Sequence, residues 1–134
     1  DGDMQQEIEE RKTDYIIPVG RLDFEHIVAL LKESDIFCLP SFSEGFSTSI
    51  LEASACGCYI VTTARGGAKE LLINEDYGCI IPNNQEDVLY KALRDVIADP
   101  DRREKGIELT YEMIKNHFTW KIVAKQVERI CEEK

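Results

Sequence analysis

Residues 36–53 read IFCLPSFSEGFSTSILEA, and this stretch contains the features that decide the fold. It opens with four apolar residues, passes through a polar loop containing Gly45, and continues with helical spacing after Ser47 and Thr48. A strand, a loop and a helix in that order form the repeating unit of an α/β sheet. Ser47 and Thr48 are both good N-cap residues, so we expect the helix to begin there. The apolar run predicts a parallel strand covered by helices on both faces.

Apolar runs and amphipathic segments alternate along the rest of the chain. The runs predict strands at residues 15–19, 36–39, 59–62 and 79–81, and Pro18 makes the first an edge or irregular strand. Helical spacing predicts helices over residues 4–12, 25–32, 48–56, 68–73, 86–98, 101–115 and 119–131. We therefore predict a parallel α/β sheet with helices on both faces and a helical C-terminal tail, about residues 84–134.

The composition is that of an ordinary soluble globular protein, with 43% hydrophobic and 31% charged residues. A chain of 134 residues fits one domain with a sizeable core. The net charge of −10 argues against a nucleic-acid or anionic-membrane binder. It does not exclude a phosphate site, because helix N-termini and loop amides bind phosphate without net positive charge.

The cysteines and histidines give no sign of a metal site or a catalytic group. The pair Cys56 and Cys58 lacks the second pair that a zinc site needs. The five cysteines are odd in number and lie mostly in apolar runs, which predicts free thiols in a reducing compartment. His26 and His117 have no partner at a spacing that suggests catalysis, so we expect both at the surface or at its boundary.

The loop after residues 36–39 is the predicted ligand site. Open α/β sheets bind ligands at the carboxyl ends of their strands. Unpaired amides at the start of the following helix bind phosphates or sugar hydroxyls. Glu44 in the loop and Glu52 on the helix add carboxylates that accept hydrogen bonds from hydroxyl groups. Spacing alone leaves open the alternative that both glutamates are simply solvated.

The same stretch resembles a known family of enzymes. Its pattern from Pro40, PSxxEGFxxxxLEAxAxGxx(I/V)V, is similar to that of the glycosyltransferase group 1 family, retaining enzymes with two Rossmann-like domains. The hallmark of that family is two glutamates separated by seven residues, here Glu44 and Glu52. Flanking motifs also resemble the family at residues 34–41 (SDIFCLPS), 66–70 (GGAKE), 77–82 (YGCIIP) and 119–120 (TW). The resemblance runs to about Glu128.

The resemblance implies a role for each matching residue. Glu44 is the implied catalytic residue, with its carboxylate on donor-sugar hydroxyls. The donor-binding group comprises the backbone amides of Gly45, Phe46 and Ser47 on the sugar or distal phosphate, Thr48 at the phosphate end of the helix, Glu52 on the ribose, and Asp23 near the base. No metal or cofactor is implied, and the donor substrate is a UDP-, GDP- or ADP-sugar. Ser47, Lys69 and the pair Cys58-Tyr59 depart from the usual family residues, which leaves the sugar preference open.

The resemblance also implies that parts of the enzyme lie outside these 134 residues. In the order 3-2-1-4-5-6, residues 15–19 would form strand 3 and residues 36–39 strand 4, without the two strands between them. The family's Arg/Lys phosphate-binding pair and its N-terminal acceptor-binding domain are likewise not in this sequence. We therefore expect residues 1–134 to be an incomplete copy of the C-terminal nucleotide-sugar-binding domain, unable to transfer sugar alone.

For the full-length protein, the resemblance implies a retaining hexosyltransferase. It would transfer a glycosyl group to a glycan or lipid-linked acceptor held by the N-terminal domain, in cytoplasmic polysaccharide biosynthesis. Peripheral association with the inner membrane face is a family-level expectation, and no nucleic-acid partner is implied. One alternative is a non-catalytic binding or scaffold module, which the intact Glu44 and Glu52 disfavour and the absent half favours. The other is a sugar-nucleotide epimerase, whose carboxylate and histidine constellation the sequence does not show.

Overall fold

Three parallel strands form the centre of the computed structural model, which describes residues 3–133. They are β1 (Ile36–Leu39), β2 (Tyr59–Thr63) and β3 (Cys79–Ile81), side by side in the order β1-β2-β3. The register pairs Ile36 with Tyr59 and Val61 with Cys79. All five residues of β2 are buried, because a neighbouring strand lies on each side and helices cover both faces. The three predicted strands after residue 35 are thus confirmed.

The described residues also form seven helices. They are α1 (Gln5–Glu10), α2 (Phe24–Lys32), α3 (Thr48–Ala55), α4 (Ala68–Leu71), α5 (Glu86–Ile97), α6 (Pro100–His117) and α7 (Trp120–Glu132). Each corresponds to a predicted helix, with ends that differ by three residues or fewer. The predicted tail, residues 84–134, consists of α5, α6 and α7 as far as Glu133. Asp1, Gly2 and Lys134, which the predicted bounds include, lie outside the described residues.

The alternation of side chains along β2 divides the core into two layers. Cys58 and Ile60 lie on one face in a cluster with residues of α2, α3 and α4. Tyr59 and Val61 lie on the other face against Val96 of α5 and further side chains of α5 and α6. Successive side chains of a strand point to opposite faces, so a uniformly apolar strand requires cover on both.

Helix α6 approaches β2 closely through a glycine. A Cβ added to Gly106 would lie 2.5 Å from Cε2 of Tyr59 and 3.1 Å from the carbonyl oxygen of Asp76. The ring of Tyr59 is fully buried. Only a residue without a side chain leaves room for this ring between the helix and the strand.

The predicted strand at residues 15–19 is wrong. The segment forms only an isolated antiparallel bridge between Thr13 and Ile16, and Tyr15 is 96% exposed. A strand needs a partner for its backbone groups, and within residues 3–133 no strand lies beside this segment. Pro18 removes one donor in addition. Because residues 15–19 do not pair with it, β1 has a neighbour on one side only, namely β2, in the described chain.

None of the helices formed by residues 3–133 combines the length and the apolar character needed to cross a bilayer. The cysteines Cys38, Cys56, Cys58, Cys79 and Cys131 are free thiols, as predicted, although Cys131 is exposed rather than in the core.

Candidate functional site

Residues 40–47, here called the 40–47 loop, connect the carboxyl end of β1 to the start of α3. Two adjacent threonines of β2 hold the beginning of this loop. The hydroxyl of Thr62 donates a 2.9 Å hydrogen bond to the carbonyl oxygen of Leu39, and that of Thr63 donates a 2.7 Å bond to the carbonyl oxygen of Ser41. Both threonines are 2% exposed, so the donor end of each bond is sheltered from water. The loop therefore leaves the sheet in a fixed direction.

The carboxylate of Glu44 is held by its own loop. The hydroxyl of Ser41 donates a 2.6 Å hydrogen bond to Oε1 of Glu44, and both residues are half-buried. A short hydrogen bond from a hydroxyl to a carboxylate is stronger than one between neutral groups. The predicted alternative of a freely solvated glutamate does not describe Glu44, whereas Glu52 is exposed on α3.

The glycine pair after β2 packs against the same loop. The backbone N–H of Gly67 donates a 3.3 Å hydrogen bond to the carbonyl oxygen of Gly45. Gly66 has a φ of +51°, and a side chain there would overlap the Gly45 carbonyl group. A Cβ on Gly67 would overlap the ring of Phe46. The two glycines therefore allow the segments to touch through their backbones.

An aromatic pair joins the 40–47 loop to the helical tail. The ring centroids of Phe46 and Phe118 lie 5.5 Å apart at a tilted angle of 35°. Phe118 follows the last residue of α6, and its backbone N–H donates a 2.9 Å bond to Ile114. Tilted aromatic pairs at this separation are favourable beyond the area that they bury. The tail thus contacts the 40–47 loop through this aromatic pair.

Helix α3 begins at Thr48 with Ser47 as its N-cap residue, as the sequence predicts. The hydroxyl of Ser47, however, accepts no hydrogen bond from the backbone amides of the first turn. The first amides of a helix have no intrahelical partner, so those of α3 are donors available to a ligand. Thr48 and Glu52 are both exposed and lie four residues apart, which places them on the same outward face.

Asp23 has a local structural role. It is the N-cap residue of α2, where Oδ1 accepts a 3.0 Å bond from the backbone N–H of His26 and lies 2.7 Å from Nδ1 of the same residue. The backbone bond and the ring contact hold the pKa of Asp23 below its ordinary value. The sequence reasoning missed this partner for His26, although a spacing of three residues at a helix start indicates it. No hydrogen bond within residues 3–133 joins Asp23 to the 40–47 loop.

A cleft of about 870 Å³ lies between α1 and residues 18–21. Gly20 and Arg21, just before Asp23, which the resemblance places near the base, contribute to its wall, but Asp23 itself does not. No residue of the 40–47 loop lines it. We attribute the cleft to the unpaired course of residues 15–19 rather than to a second ligand site.

The charges around the 40–47 loop are mixed. Arg65 and Lys69 flank the glycine pair and are exposed, whereas Glu44 and Glu52 are acidic. Within residues 3–133 no group of three or more His, Cys, Asp or Glu side chains is placed to hold a metal ion. The site therefore offers carboxylates that can accept hydrogen bonds from hydroxyl groups, backbone N–H donors, and the positive charges of Arg65 and Lys69 nearby.

Comparison with known proteins identifies the family. The sequence pattern of the glycosyl transferases group 1 family matches residues 3–113. A glycosyltransferase of Methanocaldococcus jannaschii, itself uncharacterised, is 32% identical over 114 residues, which are 84% of this chain and 29% of that protein. Glycogen synthase of Mycobacterium tuberculosis is 34% identical over 106 residues, which are 79% of this chain and 26% of that protein.

Solved structures share the fold. Sucrose-phosphate synthase from Thermosynechococcus elongatus superposes with a TM-score of 0.84 at 24% identity, over 97% of this chain and 33% of that one. The C-terminal domain of a group 1 glycosyltransferase from Francisella tularensis superposes with a TM-score of 0.73 at 22% identity, over 87% of this chain and 61% of that one.

The chain belongs to the glycosyl transferases group 1 family. It spans less than a third of the length of the two curated relatives, 29% and 26%. The fold that the resemblance implies, a Rossmann-like parallel sheet with a helical tail, is confirmed.

Proposed function

We propose that this chain forms the donor-binding part of a retaining glycosyltransferase whose donor is a nucleoside-diphosphate sugar. The observation that carries the proposal is that a fixed carboxylate lies in the loop that leads directly into the uncapped N-terminus of a helix. Glu44 is held by Ser41, and α3 begins four residues after Glu44, at Thr48, without a side-chain cap. Carboxylate acceptors suit sugar hydroxyls, and helix amides suit phosphates.

The proposed roles follow the positions of the residues. Glu44 accepts hydrogen bonds from donor-sugar hydroxyls, and the amides of residues 45–47 meet the sugar or the distal phosphate. Thr48 lies at the phosphate end of α3, and Glu52, one helical turn further along the same face, accepts bonds from the ribose hydroxyls. Asp23 remains a candidate contact to the base. No metal or organic cofactor is required by this arrangement of roles.

The proposed chemistry depends mainly on charge and position. As the glycosidic bond to the diphosphate breaks, negative charge accumulates on the leaving group and positive charge on the sugar. Amides aimed at the diphosphate stabilise the first charge without reorganisation. Glu44 orients the sugar so that the acceptor attacks on the face the diphosphate leaves, which retains the anomeric configuration. The acceptor is a glycan or a lipid-linked acceptor, bound by a separate domain of the full-length enzyme.

Thermal unfolding of the chain with UDP, GDP or ADP tests donor binding. A nucleotide at 100 times its dissociation constant should stabilise the fold by about 2.7 kcal/mol. A shift with one nucleotide would identify the base of the donor. A cooperative transition that none of the three shifts would contradict nucleotide binding by this chain.

Replacement of Glu52 distinguishes a ribose contact from a general effect of charge. Glu52→Ala should abolish most of the nucleotide-induced shift while leaving the unfolding temperature of the free chain nearly unchanged, because Glu52 is exposed. Glu104→Ala, at an exposed glutamate on α6, is the matched control and should keep the full shift. Equal shifts in both variants would remove Glu52 from the site.

A further inference from the structure

A relay of two hydrogen bonds connects the centre of the sheet to the carboxylate of Glu44. Thr63 in β2 donates to the carbonyl oxygen of Ser41 over 2.7 Å, and the hydroxyl of Ser41 donates to Oε1 of Glu44 over 2.6 Å. The first bond fixes the backbone of Ser41, so the hydroxyl that donates the second bond is held in a defined position. β2 is the most enclosed strand of the sheet, with every residue buried.

This relay determines which part of Glu44 is available to a ligand. Oε1 accepts the hydrogen bond from the hydroxyl of Ser41, so Oε2 keeps both of its lone pairs for other donors. A glutamate side chain that is free in solution loses considerable rotamer entropy when it is immobilised. Holding it in place before binding removes part of that cost from the binding step.

We infer that Ser41 and Thr63 are positioning residues that orient Glu44 toward the sugar of the donor. This inference rests on the proposed function for the identity of the ligand. The orientation itself is a property of the free chain, so it is measurable without any ligand. Neither residue touches the sugar; both act through the carboxylate of Glu44.

The side-chain couplings of Glu44 in NMR spectra of the free, isotope-labelled chain measure the orientation. In the wild type they should report one predominant χ1 and χ2 rotamer. In Ser41→Ala they should collapse to rotamer-averaged values, and Ser41→Thr should restore the single rotamer because it keeps the hydroxyl. Averaged couplings in the wild type, or an unchanged single rotamer in Ser41→Ala, would overturn the inference.

Two matched controls separate positioning from a general loss of structure. Ser43→Ala removes an exposed hydroxyl two residues after Ser41 and should leave Glu44 in its wild-type rotamer. Thr62 and Thr63 are equally buried. The hydroxyl of Thr62 donates to the carbonyl oxygen of Leu39, just before the loop, with a longer 3.5 Å contact to that of Thr63, whereas the hydroxyl of Thr63 donates to the carbonyl oxygen of Ser41 within the loop. Thr62→Val and Thr63→Val should therefore lower the unfolding temperature alike, but only Thr63→Val should increase rotamer averaging at Glu44. Equal averaging in both threonine variants would assign the effect to stability alone.

Calorimetric titration extends the test to the ligand. The probes are UDP-glucose, GDP-mannose and ADP-glucose, each compared with its nucleoside diphosphate. Ser41→Ala should weaken the sugar nucleotide about three- to tenfold and the nucleotide alone less than twofold, because only the sugar meets Glu44. The same loss should appear in Glu44→Gln and should not increase in the double variant.

The two readouts distinguish failure of the inference from failure of the proposed function. If the wild-type chain binds none of the six compounds, the proposed donor site is wrong, and the couplings of Glu44 still decide the positioning role. If Ser41→Ala weakens nucleotide and sugar nucleotide equally, Ser41 does not act through the sugar-binding carboxylate and the inference fails.

Discussion

The carbonyl group of Gly45 occupies the space that the first side-chain atom of residue 66 would need. The contact joins two loops that each follow a neighbouring strand of the sheet, and the adjacent N–H of Gly67 bonds to the same carbonyl oxygen. The backbone next to Glu44 is therefore supported by main-chain atoms, which cannot move aside as a flexible side chain can.

Gly66→Ala should destabilise the chain and displace the 40–47 loop. Gly57→Ala is its control, because Gly57 has a φ of +94° and nothing within 4 Å of an added Cβ. The control should cost about 1–2 kcal/mol through backbone strain alone. Gly66→Ala should cost roughly 1–3 kcal/mol more, in the range of overpacking. Urea unfolding measures both; equal losses would show that the overlap with Gly45 is relieved without cost.

Gly106→Ala should destabilise the chain despite placing a better helix former in α6. Alanine gains about 1 kcal/mol of helix propensity over glycine. The added Cβ would lie 2.5 Å from the buried ring of Tyr59, and overpacking of this kind costs about 1–3 kcal/mol. We expect overpacking to prevail because the ring of Tyr59 is fully buried and so cannot swing out into solvent. Glu104→Ala, exposed on the same helix, should remain within about 0.5 kcal/mol of wild type. A more stable Gly106→Ala variant would contradict the tight contact.

Asp23→Ser separates helix capping from a contact to the nucleotide base. Serine retains a side-chain oxygen for the N–H of His26 but removes the carboxylate. Asp23→Ala removes both and should lower the unfolding temperature, whereas Asp23→Ser should leave it nearly unchanged. If Asp23 contacts the base, both variants should lose nucleotide-induced stabilisation. Full stabilisation in Asp23→Ser would assign Asp23 to capping alone.

The stability of the chain should fall as the pH rises through the thiol range. Burial raises the pKa of Cys38, Cys58 and Cys79 above the ordinary value. The thiol of Cys58 also donates to the carbonyl oxygen of Leu31 over 3.1 Å, which requires its protonated form. Above about pH 8.5 the unfolded chain loses thiol protons that the folded chain keeps, so the unfolded state binds fewer protons and stability declines.

Urea unfolding between pH 7.5 and pH 10, in the presence of a reducing agent, measures this decline. Replacing the three cysteines by alanine should flatten the profile up to about pH 9.5. Burial also raises the pKa of Tyr59, so a residual decline should persist near pH 10. A wild-type stability that stays constant or increases between pH 8 and pH 9.5 would contradict the assignment.

Much of the fold followed from the apolar runs, with one informative exception. The runs at residues 36–39 and 79–81 are strands because β2 lies between them and pairs with both. The equally apolar run at residues 15–19 is not a strand. A sequence pattern reports that a segment suits a sheet, but it does not report whether a neighbouring strand is present.

The sequence predicted the position of the candidate site, but not the long-range contacts that hold its loop in place. The loop after β1 and the start of α3 at Thr48 follow from composition and capping preference. The bond from Thr63 to Ser41 joins residues 22 positions apart, and it depends on the register between β1 and β2. The contact of Gly45 with the glycine pair likewise depends on where two loops meet in space. Neither leaves a local pattern in the sequence, whereas the spacing of three residues between Ser41 and Glu44 does.

The enclosure of β2 also determines when each part of the molecule opens. Amides of a strand buried on every side exchange with solvent deuterium only through unfolding of the whole domain. We therefore expect Tyr59–Thr63 to be among the slowest residues to exchange and residues 15–19 to be among the fastest. The 40–47 loop is a surface segment, yet Thr62 and Thr63 attach it to this slowest-opening strand. The groups of this loop that we propose to bind the donor should accordingly keep their arrangement through the local fluctuations that open the exposed N-terminal segment.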